Sequence, residues 1–367
     1  MKKKMKNRTF ELFSKYRTLL MGVATILIII FHFTEDRDIY NYGYFGFIDF
    51  YKTYIGSCGV DIFLMLSGLG LYYSWKKNSN YKEFISKRLI KILIPYLIVS
   101  IPAYIIRNLV ITNIGFIECI KDLLFISLFE YGRNWYWYIF FILVLYVIFP
   151  YLYEMIESDK KTIDNEKTIL NIFTFITVIS MCLFYYANPI FGNINIMLLR
   201  VPIFVFGIYL GKLSYNKTKI ESKWIFLLFL AIGFIFLRKF NKLMIIRYAL
   251  GSIGLIICVI TIQLFEKLEK KKIELKIVKK ILEFFGKYSL EIYLVHVTVR
   301  YFFLQYGMPT YRVRYEVLMV IVSIILSIII NRVSKVLTNI IEKKNENVSP
   351  QKKKKSMAVW IDYAFLL

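Results

Sequence analysis

Two histidines, His32 and His296, are the only imidazoles in a chain of 367 residues, and both lie inside long apolar stretches. An imidazole, with an unperturbed pKa of about 6.5, is the side chain best suited to moving a proton at neutral pH. Asp61, Arg200 and Glu291 interrupt apolar stretches in the same way. A titratable group at bilayer depth is costly unless it faces a cavity or a partner, so these five positions are where chemistry is expected first. His32 reads either as a helix-end histidine at the outer interface or as a general base. Asp61 reads either as a tie to Ser57, one turn earlier, or to a neighbouring helix, or as a functional carboxylate. Arg200 is suited to grip an anionic group or a buried carboxylate, and Pro202 beyond it frees backbone carbonyls that need partners. Glu291 and His296 are five residues apart, about 140° around a helix, so they are not expected to form a dyad. Ser67, in LSGLG, reads as a close-packing site rather than a nucleophile.

The elements that must position these groups are membrane helices. The chain is 58% hydrophobic with a mean hydropathy of +0.55, which excludes an ordinary soluble domain. Apolar runs predict helices over 18–34, 54–74, 90–106 and 134–153, then two from the run 168–199, broken around Asn188, Pro189 and Gly192. Further runs at 224–237, 248–265, 288–305 and 317–336 bring the expectation to an all-α, polytopic bundle of about ten transmembrane helices. It forms one integral membrane domain over 1–342, followed by a polar, lysine-rich tail at 343–367. The apolar end of that tail, 357–367, has no physical explanation in the sequence.

Lys and Arg number 49 against 25 acidic residues, a net charge of +24. The excess collects in the polar segments between apolar runs, as the positive-inside rule predicts, and no compact basic domain exists to bind nucleic acid. Both termini are therefore expected in the cytoplasm, with Glu35, Asp36, Asp38 and Asp49 in the first outer segment. Arg238, Lys239 and Lys242 fall on the wrong side of that scheme. Cys58, Cys119, Cys182 and Cys258 show neither disulfide nor metal-ligand spacing. Phosphate-binding glycine motifs are missing from the sequence, which argues against an ATP-driven pump, and GxSxG is missing too.

Several stretches in order, LLMGVATILIIIFHF, GVDIFLMLSGLGLYYS, FISKRLIKILIPYLI, RVPIFVFGIYLGKL and GKYSLEIYLVHV, resemble the acyltransferase 3 family of multipass membrane acyltransferases. That family's first helix carries an Arg, ten intervening residues and a His. Here His32 matches the His, but Met21 stands at the Arg position; Arg17, one turn earlier on nearly the same face, is placed to take over the basic role. RNWYWY also lacks a His that some relatives carry before the tryptophan.

The resemblance implies an acyl-CoA donor, acetyl-CoA in the O-acetyltransferases, entering from the cytoplasm, with no permanently bound cofactor and no metal. It implies a hydroxyl of a cell-envelope polysaccharide or glycolipid as acceptor. On this reading His32 is the base, Asp61 and His296 complete the catalytic set, with His296 mainly shaping the site, and Arg17, Lys87, Arg88 and Arg200 hold the coenzyme's phosphates. Two rivals remain open: a transporter or flippase for a lipid-linked glycan, and a catalytically weakened membrane partner protein, the latter motivated by Met21. Turnover separates them.

Overall fold

In hydrocarbon every backbone N–H and C=O must be bonded within the protein, and a single long apolar segment achieves this only as a helix. The computed structural model, which describes residues 10–39, 51–133, 135–158, 162–218, 245–271 and 275–346, is helical throughout, with no strand among the described residues. In chain order the helices are α1 (Glu11–Lys15), α2 (Arg17–Ile39), α3 (Cys58–Lys77), α4 (Tyr81–Ile105), α5 (Phe116–Leu123), α6 (Ile126–Tyr131), α7 (Trp137–Ser158), α8 (Thr162–Tyr186), α9 (Asn188–Leu198), α10 (Val201–Tyr215), α11 (Ile245–Lys270), α12 (Lys276–Lys287), α13 (Ser289–Gln305) and α14 (Val313–Glu346). Six spans among the described residues are long and apolar enough to cross a membrane. The chain is thus an all-α, polytopic membrane protein. The helix expected at 224–237, the Arg238–Lys242 segment and the tail's apolar end lie outside the described residues.

Two boundaries differ from expectation for identifiable reasons. The first helix does not stop at Thr34; it continues to Ile39, so Glu35 and Asp36 belong to its last turns rather than to an outer loop. Their charges end the apolar run in the sequence, but inside the bundle they have partners, described below. The third helix begins at Tyr81, not near Ile90, because the Asn80 side chain accepts a hydrogen bond from the Glu83 N–H at 3.1 Å and caps the first turn. The break in the 168–199 run falls where expected, at Ala187 between α8 and α9, with Pro189 in the first turn of α9.

Helix α3 is the centre of the bundle. Most of its length is buried, and it packs against α10 where Gly68 faces Gly207. A Cβ on Gly68 would lie 2.5 Å from the Phe204 carbonyl oxygen, and one on Gly207 would lie 2.2 Å from that of Met65. Small residues bring membrane helices into such contact without any hydrophobic drive between them. Helix α12 crosses α2 in the same manner, through Gly286 and Gly22. Helix α14 lies at the edge, with Ile321, Ile325 and Ile329 exposed along one stripe, as a lipid-facing helix requires.

Candidate active site

On α2, His32, Glu35 and Asp36 follow the i, i+3, i+4 spacing that puts them on one face; on α13, His296 and Arg300 are one turn apart. The two faces meet. The His32 and His296 ring centroids lie 5.1 Å apart. Arg300 Nε donates to both oxygens of Asp36, each at 3.0 Å, and its Nη2 donates to Glu35 Oε2 at 2.8 Å and to Asp36 Oδ1. Its Nη1 lies 2.8 Å from His32 Nδ1, while Glu35 Oε2 lies 3.0 Å from that same nitrogen. The Thr310 hydroxyl donates to Asp36 Oδ2. Asp36 is 1% exposed, and the Arg300 guanidinium with the Thr310 hydroxyl is what makes an aspartate tolerable at such depth.

A second ion pair stands behind the same space. Arg200, in the turn that opens α10, donates from Nε to Asp61 Oδ1 at 3.1 Å and from Nη1 to the Ile196 carbonyl at 2.7 Å. Its guanidinium lies 5.3 Å from the centre of the Trp137 ring. Arg200 thus grips a buried carboxylate and a carbonyl at the turn before Pro202, while it also lines the outer cavity. Asp61 thereby ties α3 to the start of α10, a neighbouring helix.

Three cavities follow α2 through the bundle. The outer one, about 340 Å³, is lined by His32, Glu35, Arg200, Arg300, Trp135 and Tyr293 among others. An inner one, about 120 Å³, shares Ile28, Val60 and Tyr293 with it and is lined by Arg17, Met21, Ser67 and Tyr138. A vestibule of about 460 Å³ shares Arg17 and Met21 with the inner cavity and is lined by Lys15, Lys279 and Lys287. Arg17 and His32, fifteen positions apart on one helix, are separated by about 22 Å at 1.5 Å per residue. Lys15 and Lys279 share the Glu269 carboxylate at 2.9 and 3.0 Å. The hydrogen bond from Lys15 to Glu269 raises that ammonium's pKa above its ordinary value.

The structure brings some of the expected site residues together and sets others apart. His32, Arg17 and Arg200 line this chain of cavities, the His296 ring lies beside His32 at a tilt, and Arg17 and Met21 border the same spaces. Arg17 is positioned by a 2.9 Å bond from Nε to the Leu66 carbonyl and by Gly70, which leaves room for its guanidinium. Lys87 instead pairs with Glu83 at 2.5 Å on an exposed face, and Arg88 lies over the Phe84 ring; neither lines the three cavities described. Glu291 turns away from His296 and accepts from Asn331 Nδ2 at 2.7 Å. Glu35, Asp36, Arg300, Lys279 and Lys287 were not among the expected site residues. The signal for Arg300 is present in the sequence: an arginine inside an apolar run, one turn after a histidine.

A family model described as an acyltransferase domain matches residues 18–332. The chain belongs to that acyltransferase family. The match runs from the first residues of α2 into α14, so His32, Asp61, Arg200, His296 and Arg300 all lie within it. No curated protein and no solved structure matches the chain significantly. Membership makes the cluster around His32, at the outer cavity, the candidate active site of a membrane acyltransferase.

Proposed function

We propose that this protein moves an acyl group, acetyl in the simplest case, from acyl-CoA to a hydroxyl of a cell-envelope polysaccharide or glycolipid. Both termini then lie in the cytoplasm, and the vestibule lined by Lys15, Lys279 and Lys287 opens there. The observation that carries the reading is the series of three cavities along α2, linked through shared lining residues from that basic mouth to His32. The lysines and Arg17 suit the phosphates of a coenzyme, with ammonium and guanidinium groups as charge-assisted donors. The narrow inner cavity, walled by Ile92, Ile142 and Tyr138, suits the apolar arm that bears the thioester.

The acceptor hydroxyl enters the outer cavity, where His32 takes its proton as the oxygen attacks the thioester carbonyl. The test uses radiolabelled acetyl-CoA with sealed membrane vesicles of both orientations. Inside-out vesicles should incorporate label into the glycan fraction and right-side-out vesicles should not. Incorporation only by right-side-out vesicles would place the donor mouth on the opposite face.

A further inference from the structure

Arg300 and Glu35 meet the same nitrogen of His32, and the shorter of the two contacts is that of Arg300. A guanidinium carries only N–H donors and keeps its proton in proteins, so His32 Nδ1, 2.8 Å from Arg300 Nη1, is the accepting partner and bears a lone pair. The proton of the neutral ring is then on Nε2. Glu35 Oε2, 3.0 Å from the same Nδ1, is an acceptor that would call for a hydrogen there instead; the shorter guanidinium contact, and the Arg300 Nη2 donor that Oε2 already has at 2.8 Å, favour the lone pair on Nδ1. His296 is fixed the opposite way. Its Nδ1 lies 3.1 Å from the Ile292 carbonyl oxygen, which can only accept, so that nitrogen carries the hydrogen. On this assignment the two imidazoles of this chain hold opposite tautomers.

We propose that Arg300 is a catalytic residue that marks the seat of the acceptor hydroxyl on His32, an inference that rests on the acyltransferase reading given above. Glu35 and Arg300 both line the outer cavity, so the Nδ1 side of His32 is the side a substrate reaches. An arriving hydroxyl takes the place of the Nη1 N–H at Nδ1: its O–H donates to Nδ1, and its oxygen accepts from Nη1. As the O–C bond forms, the hydroxyl proton moves to Nδ1 and negative charge gathers on the thioester carbonyl oxygen. Glu35, already within reach of Nδ1, then accepts from the new N–H and balances the imidazolium. When the C–S bond breaks, the departing thiolate takes the proton from Nδ1, and His32 returns to its starting state. Asp36, held by Thr310, is a positioning residue that keeps Arg300 in place.

The test begins with the unmodified protein, labelled with ¹⁵N-histidine and reconstituted in lipid bilayers, since solid-state NMR separates the two imidazole tautomers. With only two histidines in the chain, the spectrum should show one Nε2–H ring and one Nδ1–H ring. Two Nδ1–H rings would overturn the assignment without any variant being made. Arg300→Lys keeps a cation beside Asp36 but lacks the fork that serves His32 and Glu35 together. It should shift the Nε2–H signal toward Nδ1–H and lower kcat about 10²- to 10³-fold, as loss of a preorganised donor does, with the KM for acetyl-CoA unchanged. Wild-type kcat in Arg300→Lys would refute the proposal. A wild-type protein that transfers nothing from acetyl-CoA overturns instead the acyltransferase reading beneath it, whatever the tautomers.

Discussion

Replacing Asp61 by Asn tests whether the ion pair at the back of the outer cavity holds the bundle together. Asp61 is 2% and Arg200 4% exposed, so bulk water screens the pair little. At 3.1 Å and an effective dielectric constant of about 20, the Coulomb attraction is roughly 332/(20 × 3.1), or about 5 kcal/mol, before desolvation is counted. Breaking such a pair from one side typically costs about 3–5 kcal/mol, because a buried charge loses its counter-ion. Arg200 keeps the Ile196 carbonyl and the Trp137 face, which places Asp61→Asn near the lower end of that range, at about 3 kcal/mol. The double variant Asp61→Asn/Arg200→Met removes both charges and should recover most of the loss, a coupling of about 2 kcal/mol or more. Denaturant or thermal unfolding of the purified protein in detergent, run as a double-mutant cycle, measures this directly. Additive single effects, or a loss below about 1 kcal/mol in Asp61→Asn, would refute the reasoning.

Three further outcomes are expected. Gly70→Ala puts a Cβ 2.7 Å from Cζ and Nη2 of Arg17, a flexible tip that yields; stability should barely change, while the KM for acyl-CoA rises roughly 10- to 100-fold, equivalent to a lost hydrogen bond to a charged group of about 1.5–3 kcal/mol. Gly286→Ala meets the Thr18 carbonyl oxygen at 1.9 Å, backbone that cannot yield; it should destabilise the protein by at least about 1–3 kcal/mol and expose α12 to limited proteolysis, and an unchanged melting curve would argue against the α2–α12 crossing. Lys87→Ala, which removes a lysine paired on an exposed face, should leave the KM for acyl-CoA unchanged, whereas Lys279→Ala should raise it.

Much of the fold is legible in the sequence because apolar runs and their breaks are local. The Asn188–Pro189 break and the separation of Glu291 from His296 both follow from residue type and helical geometry. What escapes a reading by uncharged runs is the membrane helix that carries charge by design. Glu35 and Asp36 look like the start of a loop until Arg300 and Thr310, more than 260 positions away, are known to neutralise them. Lys87 and Arg88 stand out in the sequence because they are basic and near a helix start; their contacts with Glu83 and with the Phe84 ring are tertiary and side-chain details that residue type does not give. Lys279 and Lys287 reach the vestibule only because α12 folds back across α2, a tertiary event with no local signature.

The measurement closest to the central claim is acyl transfer itself. Purified protein in proteoliposomes would be supplied with radiolabelled acetyl-CoA and an envelope glycan fraction, comparing wild type, His32→Ala and His296→Ala at equal amounts of folded protein. With His32 as the base, wild type labels the glycan and His32→Ala loses about 10²- to 10⁴-fold in rate, while His296→Ala loses less. Near-normal turnover in His32→Ala, or loss confined to His296→Ala, would contradict the assignment and move the base to α13.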